Sequence, residues 1–281
     1  MSHQPVLLKE VIYYLEIKKE GFYVDATFGL GGHSEAILKL GGRVLGIEWD
    51  EQQYQKSKIK YQKEINKKRL IIVNDNFSNI ELIAKQNNFH PVDGILFDLG
   101  VSMDQISKSD RGFSFKKLNE PLDLRISEKI KMKAADYLNQ LSKEELYEIF
   151  AKNAELVNFK PIVDEIVARR KFKPIETVGD LVSIVDDKIT QEKEKIYHQV
   201  WQALRILVND ELENLKKGLK GGKNILKKDG RIAVITFHSL EDRLVKNFVI
   251  KNHLSFLTKK PIISFSKKLF ERSAKLRVFT F

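Results

Sequence analysis

Four acidic side chains close four apolar runs: Asp25 after GFYV, Glu48 after RVLGI, Asp75 after RLIIVN and Asp98 after VDGILF. After the first comes DATFGLGGHS (25–34), glycine-rich where an extended run hands over to the helical pattern EAILKL. Such residues are suited to holding a nucleoside. Glycines let the backbone turn tightly and approach a ligand, a helix start offers N–H groups without partners, and an acid about twenty residues on accepts from ribose hydroxyls. Gly29, Gly31, Gly32 and Glu48 fit that pattern, Asp75 and Phe77 stand where they would flank an adenine, and Asp98 leads into LGVS. The plain alternative is a tight turn with no ligand, and a lone G-x-G is weak evidence. With an acid at the next run end, cofactor binding is the better reading. A dinucleotide fingerprint needs its third glycine further on, whereas Gly31 is followed by Gly32, His33 and Ser34. That spacing counts against a nicotinamide dinucleotide. It suits a nucleoside without pyrophosphate, such as S-adenosylmethionine, whose ammonium would be met by Asp25 or a strand-end carbonyl.

Other chemistry is less favoured. No His, Asp or Glu stands at metal-ligand spacing around His33, so no metal site is expected. FHSLEDR (237–243) brings Ser, His and Asp together without a nucleophile elbow, and Ser239, three residues before Asp242, reads as a helix cap. There are no cysteines, which excludes disulfides and thiolate sites and points to a cytoplasmic home. No apolar run approaches a membrane span, and no signal peptide is expected.

These residues need elements to position them. Extended runs at 21–27, 43–50, 69–77 and 92–101 alternate with helical patterns, which predicts parallel β-α-β units and a doubly wound α/β sheet. Residues 106–200 contain no clear β-run and read as a mostly helical insertion into a domain formed by 1–105 and 201–281. A long helix is expected from about Val200 through ELENLKKGLK, then a strand at 230–237, then PIISFSKKL and SAKLRVFTF as an antiparallel pair. The net charge of +11 is C-terminal: residues 201–281 carry 18 basic and 7 acidic side chains, concentrated in LKKGLKGGKNILKKDGR. Such a patch attracts phosphate polyanions, although a solvated lysine-rich helix would look the same.

HQPVLLKEV, DATFGLGGHS, FDLGVSMDQ, RGFSF, PLDLR, WQALRILVNDEL, TFHSLEDRLVK and RSAKLRV occur in the order seen in the bacterial small-subunit (16S) ribosomal RNA cytosine-N4 methyltransferases of MraW type, and the chain resembles that family over almost its whole length. The resemblance implies a Rossmann-like sheet with a helical substrate-recognition insertion. It also implies S-adenosylmethionine as donor, and as acceptor the exocyclic N4 of a cytidine in the decoding region of the small (30S) subunit's RNA. Matching motifs imply cofactor contacts from Gly31, Gly32, His33, Glu48, Phe77, Asp98 and Gln105, with Gly29 left as a turn former. Glu48 stands where the family usually has Asp, and KNAELVNF, KIYHQVWQALR and KKLFERSAKLR depart from the family pattern on the substrate side.

Asp98 is the candidate for orienting the target amine, a role it would share with cofactor binding. Arg111, Phe113 and Phe115 of RGFSF combine charge with stacking faces, and Arg125, Arg205 and Arg243 are further candidate RNA contacts. Each has an internal alternative: core packing for the phenylalanines, and ion pairs with Asp123, Glu211 or Asp242 for the last three arginines. Two other functions stay open, a non-catalytic RNA-binding assembly factor and an NAD-dependent oxidoreductase.

Overall fold

The computed structural model describes residues 5–154, 159–264 and 272–281. The chain forms two compact units, Met1–Gly100 with Leu212–Phe281, and Val101–Glu211.

In the first unit, α1 (Leu8–Leu15) leads to β1 (Phe22–Asp25), α2 (Gly32–Lys39), β2 (Arg43–Glu48), α3 (Glu51–Lys60), α4 (Gln62–Asn66), β3 (Leu70–Asn74), α5 (Ile80–Gln86) and β4 (Val92–Asp98). The helical unit contains α6 (Met103–Lys108), α7 (Ala134–Gln140), α8 (Lys143–Asn153), α9 (Lys160–Arg169), α10 (Val178–Lys188) and α11 (Lys193–Asn209). The chain returns through α12 (Glu211–Ile225), β5 (Leu226–Thr236), α13 (Ser239–Lys251), β6 (Ser255–Phe256), β7 (Ile262–Ile263) and β8 (Lys275–Thr280).

The strands make one sheet in the order β3-β2-β1-β4-β5-β8-β6, with β7 also paired to β8. The first five are parallel and β8 runs antiparallel to its neighbours. This is a Rossmann-like α/β fold. Successive strand residues feed different apolar clusters. Val24, Leu45, Ile95 and Val234 pack with Ile80 and Ile83 of α5, Leu219 of α12 and Val249 of α13. Their neighbours Leu96, Ala233 and Ile235 pack with Val11 and Leu15 of α1. Helices therefore cover both faces, which is why the central strands read as continuous apolar runs. The order reverses at β1, between β2 and β4, and the crevice beyond the carboxyl ends of strands at such a switch point is where ligands bind in this architecture.

The expected strands form, with differences at the ends. β7 keeps only two residues of PIISFSKKL and pairs antiparallel with β8 as expected, while 265–269 lie outside the described residues. β6 and α1 were not expected. The long helix expected from Val200 breaks at Asp210, whose φ of 48° is left-handed. Ser239 is not the cap of α13: His238 is, with its Nδ1 accepting from the Glu241 N–H while the Glu241 carboxylate accepts from the Phe237 N–H at 2.8 Å.

The helical unit has its own core, including Leu138, Leu146, Phe150, Ile166, Leu181, Ile184 and Leu204. Ser142 and Thr177 close capping boxes at the starts of α8 and α10. Three of the sequence motifs lock together in this unit. Trp201 Nε1 donates to the Gly112 carbonyl at 2.8 Å. Asn209, almost wholly buried, donates to the Leu124 carbonyl at 2.8 Å and accepts from the Ile126 N–H at 2.7 Å. Arg111 Nη1 reaches the carbonyls of Arg125 and Ile126 at 3.1 and 2.8 Å. RGFSF, PLDLR and the WQALRILVN end of α11 are thus one internally bonded structure.

Candidate functional site

The loop after β1 is held by the sheet on one side and α3 on the other. Its Ala26 N–H donates to Leu96 of β4 and its Phe28 N–H to Ile47 of β2, at 2.8 and 2.9 Å. The Gly29 N–H donates to Glu48 Oε2 at 2.6 Å, and the Gly29 carbonyl accepts from Ser57 Oγ at 2.8 Å. Tyr61 Oη donates to the Gly31 carbonyl at 3.0 Å. Gly31 has φ 76°, and a Cβ there would lie 2.5 Å from Tyr61 Cε2, so both conformation and space require glycine. It precedes α2 without capping it through a side chain, so the first turn of α2 presents backbone N–H groups toward the crevice end of the sheet. Gly32 opens that helix, packed under Pro5.

Glu48 closes β2. Oε1 accepts from the Asp50 N–H at 2.7 Å while Oε2 holds Gly29. Burial is the largest influence on its carboxyl and, with the nearby negative charges of Asp50 and Asp25, outweighs those two hydrogen bonds and pushes its pKa up to about 7. Asp25 ends β1 but turns inward. It accepts from Ser34 Oγ at 2.6 Å and from the Thr27 N–H at 3.4 Å, and burial raises its pKa. Asp25 is therefore committed to Ser34 and Thr27 within the fold.

Asp98 ends β4, its N–H donating to Thr27 Oγ1 at 2.7 Å. Its Oδ2 lies 3.4 Å from Nε2 of His33, in the first turn of α2. Both His33 ring nitrogens and Asp98 Oδ1 are buried without a hydrogen-bond partner. Buried polar atoms of this kind are uncommon in folded proteins, and these two side chains are candidates to receive a polar ligand at the end of β4. Phe77, in a short 3-10 turn after β3, stands edge-on to Phe97 with centroids 5.7 Å apart. A Cβ on Gly218 of α12 would lie 2.8 Å from Phe77 Cδ2, so that glycine lets the helix close against the ring.

The sequence profile of the MraW methylase family matches residues 1–281. The chain belongs to the MraW methylase family. Relatives of this methylase include the ribosomal RNA small subunit methyltransferase H of Dictyoglomus thermophilum, 42% identical over 98% of this chain and 95% of that one. The protein of the same name from Cytophaga hutchinsonii is 42% identical over 89% and 83% of the two chains. A putative methyltransferase of Streptococcus mutans, solved in complex with SAH, aligns at TM-score 0.47 and 13% identity over 99% and 98% of the two chains. The fold assignment for this methylase rests on its sheet order, not on that likeness.

Of the cofactor residues expected from sequence, Gly31, Gly32, His33, Glu48, Phe77 and Asp98 lie in the first unit, on β2 or β4 or directly after β1 and β3. Gln105 belongs to the helical unit, where its side-chain oxygen accepts from the Ser102 N–H at 2.8 Å in the capping box of α6. The expected RNA residues have internal partners. Phe113 is in the helical core and Phe115 stacks on Tyr197 at 5.0 Å. Arg125 binds Asp123 at 2.6 and 2.9 Å, and Arg205 binds Glu211 at 2.7 and 3.2 Å. Asp242, the alternative partner expected for Arg243, is instead forked onto Arg277 at 2.6 and 2.9 Å. On α12, Lys217 and Lys220 are exposed and make no ion pair or hydrogen bond among the described residues. Of the side chains that hold the loop after β1 together, Thr27 and Ser34 carried no sequence signal beyond their place in DATFGLGGHS, and Tyr61, 27 residues past its end, carried none.

Proposed function

We propose that this chain transfers a methyl group from S-adenosylmethionine to small-subunit ribosomal RNA, at the exocyclic N4 of a cytidine in the decoding region. The observation that carries the reading is the set of buried, unpartnered polar atoms on His33 and Asp98 at the switch point of the sheet, in a chain of the MraW methylase family. When bound, S-adenosylmethionine supplies an electrophilic methyl on a sulfonium, and its displacement needs alignment and a dry pocket rather than a strong base. Glu48 accepts from the ribose hydroxyls, Phe77 lies against the adenine, and the backbone of Gly31, Gly32 and His33 meets the methionine end. Gln105 is a further cofactor residue implied by the family resemblance. Asp98 receives the ammonium and also helps orient the target amine, whose proton becomes acidic once nitrogen is methylated and passes to solvent.

The helical unit Val101–Glu211 serves substrate recognition, and the exposed lysines of α12 supply general phosphate affinity. The target base must be single-stranded or flipped to be reached. The small subunit is the substrate particle and the cytoplasm the place of action. The test is methyl transfer from labelled S-adenosylmethionine to undermethylated small subunits. Label in the RNA supports the reading. Tight subunit binding without label would replace it with a non-catalytic assembly role.

A further inference from the structure

The aromatic residues that the sequence offered for base stacking, Phe113 and Phe115, pack within the helical unit. A different one stands free. Phe172, in the turn between α9 and α10, is 91% exposed, more than any other large apolar side chain among the described residues. Its turn is fixed on both sides. The N–H groups of Phe172 and Lys173 both donate to the Arg169 carbonyl, at 2.9 and 3.1 Å. Arg170 Nη1 donates to the Leu138 carbonyl at 2.6 Å, and Arg169 is held by Glu165 at 2.7 Å, by Ser183 and by Asp187. After Pro174, buried Ile175 exchanges two hydrogen bonds with Asn139, at 2.9 and 3.0 Å. The ring is therefore offered to solvent from a pinned turn, which limits the entropy lost when a partner binds.

The surroundings identify the partner. The segment 169–173 reads RRKFK, with four basic side chains and no acid. Lys173 pairs with Asp180 at 2.9 Å, while Lys171 is exposed and has no ion pair or hydrogen bond among the described residues. Lys171, Lys173 and Pro174 on either side of the ring are all exposed. A protein-docking anchor would sit within an apolar patch, whereas an isolated ring between cations is what an unpaired nucleobase and its phosphates need. We infer that Phe172 is a stacking platform for an unpaired base of the RNA substrate, with Lys171 on the adjacent phosphate. The inference rests on the RNA-methylating function proposed above and adds to it a contact residue in the helical unit.

The experiment uses the full chain and small-subunit ribosomal RNA, naked and as assembled subunits, with wild type, Phe172→Ala, Phe172→Trp and Lys171→Ala. Phe172→Ala is expected to weaken binding of naked RNA about 5- to 150-fold without changing the slope of affinity against salt, and to raise KM for RNA with kcat and S-adenosylhomocysteine affinity unchanged. Phe172→Trp retains affinity, and its added fluorescence is quenched by RNA. Lys171→Ala lowers the salt slope by about one. Unchanged RNA affinity in Phe172→Ala would overturn the inference, as would a loss seen with assembled subunits but not with naked RNA, which would make the partner a protein. Neither result touches the proposed activity. That activity fails separately, if the wild type labels no RNA.

Discussion

The proposed contact of Glu48 with the cofactor ribose carries a pH dependence that can be worked out in advance. Its carboxyl is buried beside Asp25 and Asp50, and its pKa is raised to about 7 from an ordinary value of 4.5. A raised acid pKa means that the folded protein binds the proton more tightly than the unfolded chain. Between about pH 4.5 and about pH 7 the carboxyl therefore costs the free protein increasing stability as it ionises, on the order of 3 kcal/mol in all. Ribose hydroxyls donate best to the ionised form, so cofactor binding should strengthen as pH rises through the same range. If only ionised Glu48 binds, the ionised fraction, and with it the affinity for S-adenosylhomocysteine, increases about tenfold from about pH 6 to about pH 8. Calorimetric titration of wild type and Glu48→Gln across that range measures it. The variant should bind more weakly with a much flatter profile, and any ionisation of the ligand itself is common to both and cancels. A wild-type profile parallel to that of Glu48→Gln would refute the assignment of Glu48 to the ribose.

Three further outcomes follow from the same geometry. Asp98→Asn keeps the N–H bond of residue 98 to Thr27 but loses the carboxylate facing His33 that is proposed to receive the ammonium; its S-adenosylhomocysteine affinity should fall about 10- to 100-fold, checked by the same titration, with turnover falling as well. Gly31→Ala places a Cβ against Tyr61 at a left-handed φ and should cost about 2–4 kcal/mol, read as a lowered urea midpoint by tryptophan fluorescence. Asn209→Ala leaves the Ile126 N–H and the Leu124 carbonyl without their buried partner; a loss of about 2–4 kcal/mol is expected, and hydrogen exchange should show the 124–126 loop opening.

What the sequence revealed and what it hid have physical causes. The five parallel strands were legible because helices cover both faces and leave no polar alternation to confuse with a helix. β6 and β7 are two residues each, too short to carry a period. The break at Asp210 was hidden because ALRILVNDELENL keeps helical composition across it, and the turn depends on Asn209 reaching back to Leu124, 85 residues earlier in the chain. Glu48 and Asp98 were visible as acids at strand ends, but the inward commitment of Asp25 needed Ser34, placed by the turn into α2. The arginines of PLDLR and QALR were readable as RNA contacts or as internal pairs, and the structure gives them Asp123 and Glu211. Phe172 went unnoticed because exposure is a property of the fold, and one phenylalanine among lysines carries no periodic signal.

The most direct test of the central claim is the nucleoside product. Undermethylated small subunits are incubated with the protein and isotopically labelled S-adenosylmethionine, and the RNA is digested and resolved by mass spectrometry. The account predicts one labelled methyl per subunit, on N4 of a cytidine in the decoding region, formed more slowly by Asp98→Asn. Label on a different nucleoside, or none despite tight subunit binding, would contradict it.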